Sequence, residues 1–207
     1  NLPDTPEHTQ HELALLIALA LALDVTKGYA TPEQERLLTR AEVLCQQVGE
    51  PAPHFAVLER LHAFRFMRAE LPAAQTVAEH LLALAQKQPD PALLLEAHDA
   101  LGLTLYYMGD FVTARTHVEQ GIALYDPQQH ATAPTTYGPG DHGVRSYAMW
   151  SRLLWVLGYP DQALTRSREA IIWAEETPFD QFGADGLKVV GAAADDRDGH
   201  GLAGRGS

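Results

Sequence analysis

The chain has 207 residues, of which 46% are apolar and 20% charged, a single cysteine, and a formal net charge of -12. Its length admits one ordinary domain or a short run of repeats. The acidic excess argues against a nucleic-acid partner, because phosphate backbones are repelled. Cys45 stands alone, which excludes an intrachain disulfide and points to a reducing, cytoplasmic setting.

The opening segment, "NLPDTPEHTQHE", holds no Lys or Arg, which argues against a signal peptide. With no initiator methionine, the chain reads as a piece of something longer. The most apolar run, Leu13 to Leu23, is eleven residues long, against the roughly 20 that a bilayer requires. A membrane is therefore not expected as a partner. Alanine and leucine dominate the apolar set, which favours helix over sheet, since unbranched side chains lose little rotamer freedom on a helix.

Breakers then divide the chain. Gly28 with Tyr29, Gly49 to Pro53, Gln88 to Pro91, Gly109 with Asp110, Asp126 to Asp141, and Gly158 to Asp161 separate apolar-periodic segments. Most segments run about 15 to 20 residues, right for antiparallel helices joined by tight turns. The first pair is expected over roughly Pro6 to Lys27 and Pro32 to Val48. Cys45 lies in the amphipathic "RAEVLCQQVGE", which marks it as a buried structural thiol rather than a reactive one.

Three later stretches superpose: "LERLHAFRFMRAELPAAQTVAEHLLALA", "HDALGLTLYYMGDFVTARTHVEQGIALYDP" and "YAMWSRLLWVLGYPDQALTRSREAIIWA". In each, an apolar helix meets a short turn, then an alanine opens a second apolar stripe. The matched alanines are Ala74, Ala114 and Ala163, with the loop from Pro127 to Asp141 lengthening the last interval. The middle stretch resembles a tetratricopeptide repeat. Gly102 matches the small residue where two helices touch, Gly109-Asp110 the turn, and Ala114 and Gly121 the small positions of the second helix. Arg65 stands where such a repeat normally buries an aromatic.

At a finer level, "VTKGYATPEQERLLTRAEVLCQQVGE", "QPDPALLLEAHDALGLTLYYMGDF", "EQGIALYDPQQH" and "WVLGYPDQAL" resemble the C-terminal repeat region of large bacterial signalling ATPases of the AAA or STAND type, often linked to adenylate/guanylate cyclase domains. The resemblance covers about residues 2 to 175. It implies an all-α fold, a TPR-like right-handed superhelix of about four antiparallel helical hairpins over 1–176. It implies no nucleotide chemistry, since none of the ATPase or cyclase residues has a matching position. From Thr177 the pattern stops, and the Gly-rich segment 177–207 reads as an irregular or disordered tail.

Sites of chemistry are sparse. His8 and His11 are three apart beside Glu12, but "HTQHE" is neither HExxH nor HxxEH, so a solvated helix start is expected rather than a metal site. "GPGDHG" lacks the lysine of a phosphate-binding loop, and no nucleophile elbow occurs. No metal, no cofactor and no enzymatic activity are expected.

A more informative pattern comes from the first helix of each pair. The position four beyond the small contact residue is Phe66, Tyr106 and Trp155 in successive pairs, with Glu59, Met67, Glu96, Asp99, Tyr107, Arg145 and Arg152 on the same faces. Aromatic anchors flanked by charges suit a peptide-binding groove. The same rings would also fill the space between adjacent hairpins, with Trp150 and Leu101 in the core on either reading. The expected partner-binding residues are thus Phe66, Tyr106, Tyr107, Trp155, Arg152, Asp99 and Glu59. The expected function is non-enzymatic binding of a protein or peptide, or self-association as a homo-oligomer. The alternative is a small-molecule sensor regulating an upstream ATPase.

Overall fold

The computed structural model describes residues 6–28, 30–125 and 142–176. The long loop with Pro127 and His130 and the Gly-rich tail 177–207 lie outside the described residues. Eight helices and no strand occur among the described residues: α1 (Pro6–Lys27), α2 (Pro32–Val48), α3 (Pro51–Met67), α4 (Leu71–Ala85), α5 (Pro91–Met108), α6 (Phe111–Leu124), α7 (His142–Val156) and α8 (Pro160–Glu176). The expected boundaries of the first pair coincide with α1 and α2. The chain divides into two compact units, the first ending at Met108 and the second beginning at Gly109.

In the first unit, α1 packs on α2 and α3, α2 on α3, α3 on α4, and α4 on α5. The starts are coded locally. Thr31 caps α2 through a capping box: its hydroxyl accepts from the Gln34 amide, and the Gln34 side chain accepts from the Thr31 amide. Prolines occupy the first turns of α2, α3 and α4, where a missing N–H costs nothing. The ends are coded by left-handed residues. Gly28, Gly49, Gly109 and Gly158 take φ between 71° and 88°, which a side chain disfavours and glycine does not. Ala69 does the same job at φ 58° without being glycine.

Two apolar clusters hold this unit. Leu13, Ala41, Leu44, Cys45 and Val57 join α1, α2 and α3. Ala20, Leu38, Leu61 and Phe64 form the second, with Val77 of α4 against it. A polar link with buried side chains also joins these three helices. Asp24 of α1 pairs with Arg60 of α3, and its other oxygen accepts from the Gln34 side chain of α2.

In the second unit, α6 packs on α7 and α7 on α8. Val144, Ala148 and Ala170 form its described cluster, with Tyr147 and Ile171 against it. Gly143 admits the ring of Tyr125 into the space a Cβ would occupy, which lets the start of α7 close on the residue after α6.

The even-numbered helices share one buried row. It reads Gln34, Leu38, Ala41, Cys45 on α2, then Ala74, Ala78, Leu81, Ala85 on α4. On α6 it reads Ala114, Val118, Gly121, and on α8 Ala163, Ser167, Ala170. The three alanines matched in sequence open their rows fully buried, and each donates its amide to the carbonyl of the residue before the helix (2.9–3.0 Å). Small residues at this spacing let neighbouring helices approach closely.

Candidate functional site

The aromatic positions are set by the turns that end their helices. After α3, the Ala69 amide donates to the Phe66 carbonyl (2.9 Å) and the Glu70 amide to the Arg65 carbonyl (3.0 Å). After α7, the Gly158 amide donates to the Trp155 carbonyl (3.1 Å) and the Tyr159 amide to the Leu154 carbonyl (2.8 Å). Both are Schellman turns, which satisfy the last helical carbonyls through a left-handed residue. Phe66 and Trp155 each stand three residues before that residue, and Tyr106 stands three before Gly109. The equivalence of the three rings is thus a backbone equivalence.

Phe66, Tyr106 and Trp155 are all half-buried. In the first unit the rings meet. Phe66 stacks on His62 (6.1 Å between centroids, 25° between planes) and takes the edge of Tyr107 (5.2 Å, 77°). Tyr107 in turn meets Tyr106 edge to face (5.4 Å, 82°). These offset and edge-on arrangements are the favourable ones for aromatic quadrupoles. The cluster is anchored below by a buried pair: His62 and Thr104 lie 2.8 Å apart. The Thr104 hydroxyl donates to the Ala100 carbonyl (2.8 Å), so it accepts from Nε2–H of His62, which assigns the tautomer.

What reaches solvent is the next residue along. Tyr107 is 56% exposed and Met67 52%, and Met108 is also exposed. The ends of α3 and α5 therefore carry an aromatic and methionine ledge: Phe66, Met67, Tyr106, Tyr107 and Met108. Beside it, Arg65 and Arg68 both lie 5.5 Å from the centre of the Phe64 ring and share Glu70 between them (2.6 and 2.7 Å). Hydrogen bonds from Arg65 and Arg68 hold the Glu70 carboxyl below the usual range. Arg65 thus covers the face of the Phe64 ring.

The remaining predicted residues divide. Asp99 is buried with Glu96 and His98 on α5, and each is engaged by neighbours. Glu59 on α3 is half-buried and likewise engaged. Arg152 and Trp155 belong to α7 in the second unit. Leu101 is buried as expected. Trp150 is only half-buried, with Arg166 stacked 4.3 Å from its ring centre and its indole N–H enclosed without an acceptor.

Sequence reasoning overlooked a second concavity. A groove of about 320 Å³ lies over α2, α3 and α4, lined by Glu42, Gln46, His54, Leu58, His80, Ala83, Leu84 and Lys87. Its histidines fall on different helices, so no spacing in the sequence links them. Among the described residues, no three or more of His, Cys, Asp and Glu are placed to hold a metal ion. His8 and His11 are exposed. Cys45 is buried, and burial pushes its thiol up to about 11, far from the thiolate form that reacts. Among the described residues, no helix is long and apolar enough to cross a membrane.

Comparison with known protein families and with curated proteins finds no match for this chain.

Proposed function

We propose that the chain is a TPR-like helical-repeat scaffold, built of four antiparallel hairpins in a right-handed superhelix, that binds a segment of a partner protein. The single observation that carries the reading is the ledge at the ends of α3 and α5, where Tyr107 and Met67 are exposed next to Phe66 and Tyr106. Large rings held by neighbouring rings lose little entropy on binding, and methionine adapts to irregular surfaces. The common buried row on α2, α4, α6 and α8 supports the repeat architecture. Resemblance to the repeat regions of bacterial signalling ATPases supplies the setting, a cytoplasmic regulatory assembly in which this region does no chemistry.

The test compares the chain with its Phe66→Ala/Tyr107→Ala variant in affinity purification from a bacterial lysate, with quantitative mass spectrometry. A hot-spot aromatic contributes about 2 kcal/mol or more, so a true partner should be depleted about thirtyfold. Circular dichroism should show the same helicity in both. If no captured protein depends on the two rings, the ledge is not a binding surface.

A second reading, small-molecule sensing, draws on the groove lined by Glu42, His54, His80 and Lys87. Acidic and basic groups on one apolar floor suit a zwitterionic ligand. A ligand at a hundred times its Kd should stabilise the fold by about 2.7 kcal/mol, visible in a thermal-shift screen and abolished by Leu84→Trp in the groove floor.

A further inference from the structure

The groove over α2, α3 and α4 gathers five polar side chains beside Leu58 and Leu84. They are Glu42 and Gln46 of α2, His54 of α3, and His80 and Lys87 of α4. Short turns, residues 49–50 and 68–70, join the three helices, so neighbours run antiparallel and residues equally far from a turn lie level. Counting out from the turns sets Glu42 and His80 level with Leu58 to within one residue. It sets Gln46 and Leu84 level with His54 to within one residue, and Lys87 a further turn along, beside the start of α3. On α4, His80, Ala83, Leu84 and Lys87 follow the i, i+3, i+4, i+7 spacing of one helix face, with only the methyl of Ala83 between histidine and lysine.

None of the five side chains has a hydrogen-bond or ion-pair partner among the described residues. Elsewhere in the same unit Lys27 pairs with Glu33, Arg40 with Glu12, and Arg65 with Glu70. Glu42 and Lys87 share a groove and stay apart because they stand at its two ends. Glu42 and His54 are half-buried, where a missing partner costs more than at full exposure. The groove therefore offers an acceptor at one end, a cation at the other, and unsatisfied polar groups between them over an apolar floor.

We propose that the groove binds a dipeptide with free termini and apolar side chains. Its ammonium pairs with Glu42, and the unprotonated ring nitrogen of His80 is a second acceptor at that end. Its carboxylate pairs with Lys87 at the other end. The peptide group between them meets Gln46 and His54, which together supply both donors and acceptors. The side chains lie on Leu58 and Leu84, which removes apolar area from water. The dimensions agree. From His80 to Lys87 the helix rises about 10 Å, two extended residues span about 7 Å at most, and terminal hydrogen bonds add about 3 Å. A volume of about 320 Å³ stands at the small end of ligand sites, about 300–1,000 Å³, which suits two residues. A single α-amino acid carries both charges on one carbon, so it reaches one end and leaves the other unpaired. Diamines leave Lys87 without an anion, and diacids leave Glu42 without a cation. The proposal rests on the sensing reading of this groove and is independent of the ledge on α3 and α5.

Titration of the full chain with Leu-Leu, N-acetyl-Leu-Leu and Leu-Leu amide, followed by backbone amide NMR, tests it. A ligand of this size reaches a Kd on the order of 0.1 mM, and losing one charged contact weakens it about three- to tenfold. Leu-Leu should bind best. Glu42→Gln should abolish the penalty for acetylation and keep the penalty for amidation, and Lys87→Gln should do the reverse. Leu84→Trp should remove binding of all three, with helicity by circular dichroism unchanged in every variant. Equal affinity for the three probes, free leucine binding as tightly as Leu-Leu, or penalties that the two variants leave in place, overturns the dipeptide but keeps the groove as a ligand site. If Leu-Leu does not bind, the thermal-shift screen separates the two readings. Another compound whose effect Leu84→Trp removes overturns the dipeptide alone, and the absence of any such compound overturns the sensing reading with it.

Discussion

Arg60→Met is the most direct probe of how the first three helices are held together. The Asp24 and Arg60 side chains are only 6% and 11% exposed, and Gln34 supplies the remaining donor to the carboxylate. Methionine keeps the stem of Arg60 but removes its charge, which leaves a buried carboxylate with one neutral donor. Breaking one side of a buried pair costs about 3–5 kcal/mol, a large part of the roughly 5–15 kcal/mol that holds a domain. Asp24→Asn in the same background removes the stranded charge and retains an acceptor for Gln34. It should recover about half the loss or more.

The pH dependence gives a separate check. Burial pushes the Asp24 carboxyl above its ordinary value, against the opposing pull of Arg60 and Gln34. A carboxyl raised in the folded state binds its proton more tightly there than when unfolded. Its contribution therefore favours folding most at low pH and declines as pH rises through the raised value. Without Arg60 the shift grows, so the deficit of Arg60→Met should shrink between pH 7 and pH 4.5. Urea denaturation followed by far-ultraviolet circular dichroism at both pH values measures it. A loss below about 1 kcal/mol at pH 7, or an equal loss at both pH values, would refute the claim that burial governs this pair.

Three further outcomes follow from single positions. Ala69→Gly relieves a left-handed alanine, worth about 1–2 kcal/mol, less about 0.4–1 kcal/mol of unfolded-state entropy. A net gain of about 0.5–1 kcal/mol is expected in urea denaturation. Thr104→Val keeps the shape but leaves Nε2–H of His62 without its acceptor in a fully buried site, at a cost of about 1–3 kcal/mol; a neutral outcome would mean the pair is not closed. Cys45 should react with a thiol reagent at pH 8 no faster than the chain unfolds, given its burial and raised thiol. Rapid labelling under native conditions would contradict its place in the core.

The helices were legible because their signals are local. Thr31 with Gln34, the prolines of the first turns, and the glycines at 28, 49, 109 and 158 act through neighbours within a few residues. The alanines at 74, 114 and 163 were equally legible, since close packing admits few other side chains. The turn after α3 was less so, because Ala69 occupies a conformation that its side chain does not advertise. Arg65 looked misplaced for the same kind of reason. Its partners, Glu70 and the Phe64 ring, become neighbours only when the turn closes.

The ring at Phe66 illustrates the limit of the pattern. Periodicity and the superposed stretches select Phe66, Tyr106 and Trp155 as equivalent, and the turns bear out that equivalence, because it depends on distance along the chain to a left-handed residue. Which ring meets solvent depends on the helix packed beside it. Exposure accordingly moves to Met67 and Tyr107, while Asp99 goes inside with Glu96 and His98. The same holds for α1: Leu15 and Leu19 are exposed while Leu13, Ala20 and Leu23 in the same uncharged run are buried, and composition alone does not distinguish the two faces. Sequence thus sets the helices, their ends and their repeating faces through short-range backbone and steric rules. Tertiary structure alone decides which faces are covered, because burial is a property of contacts between residues far apart in the chain.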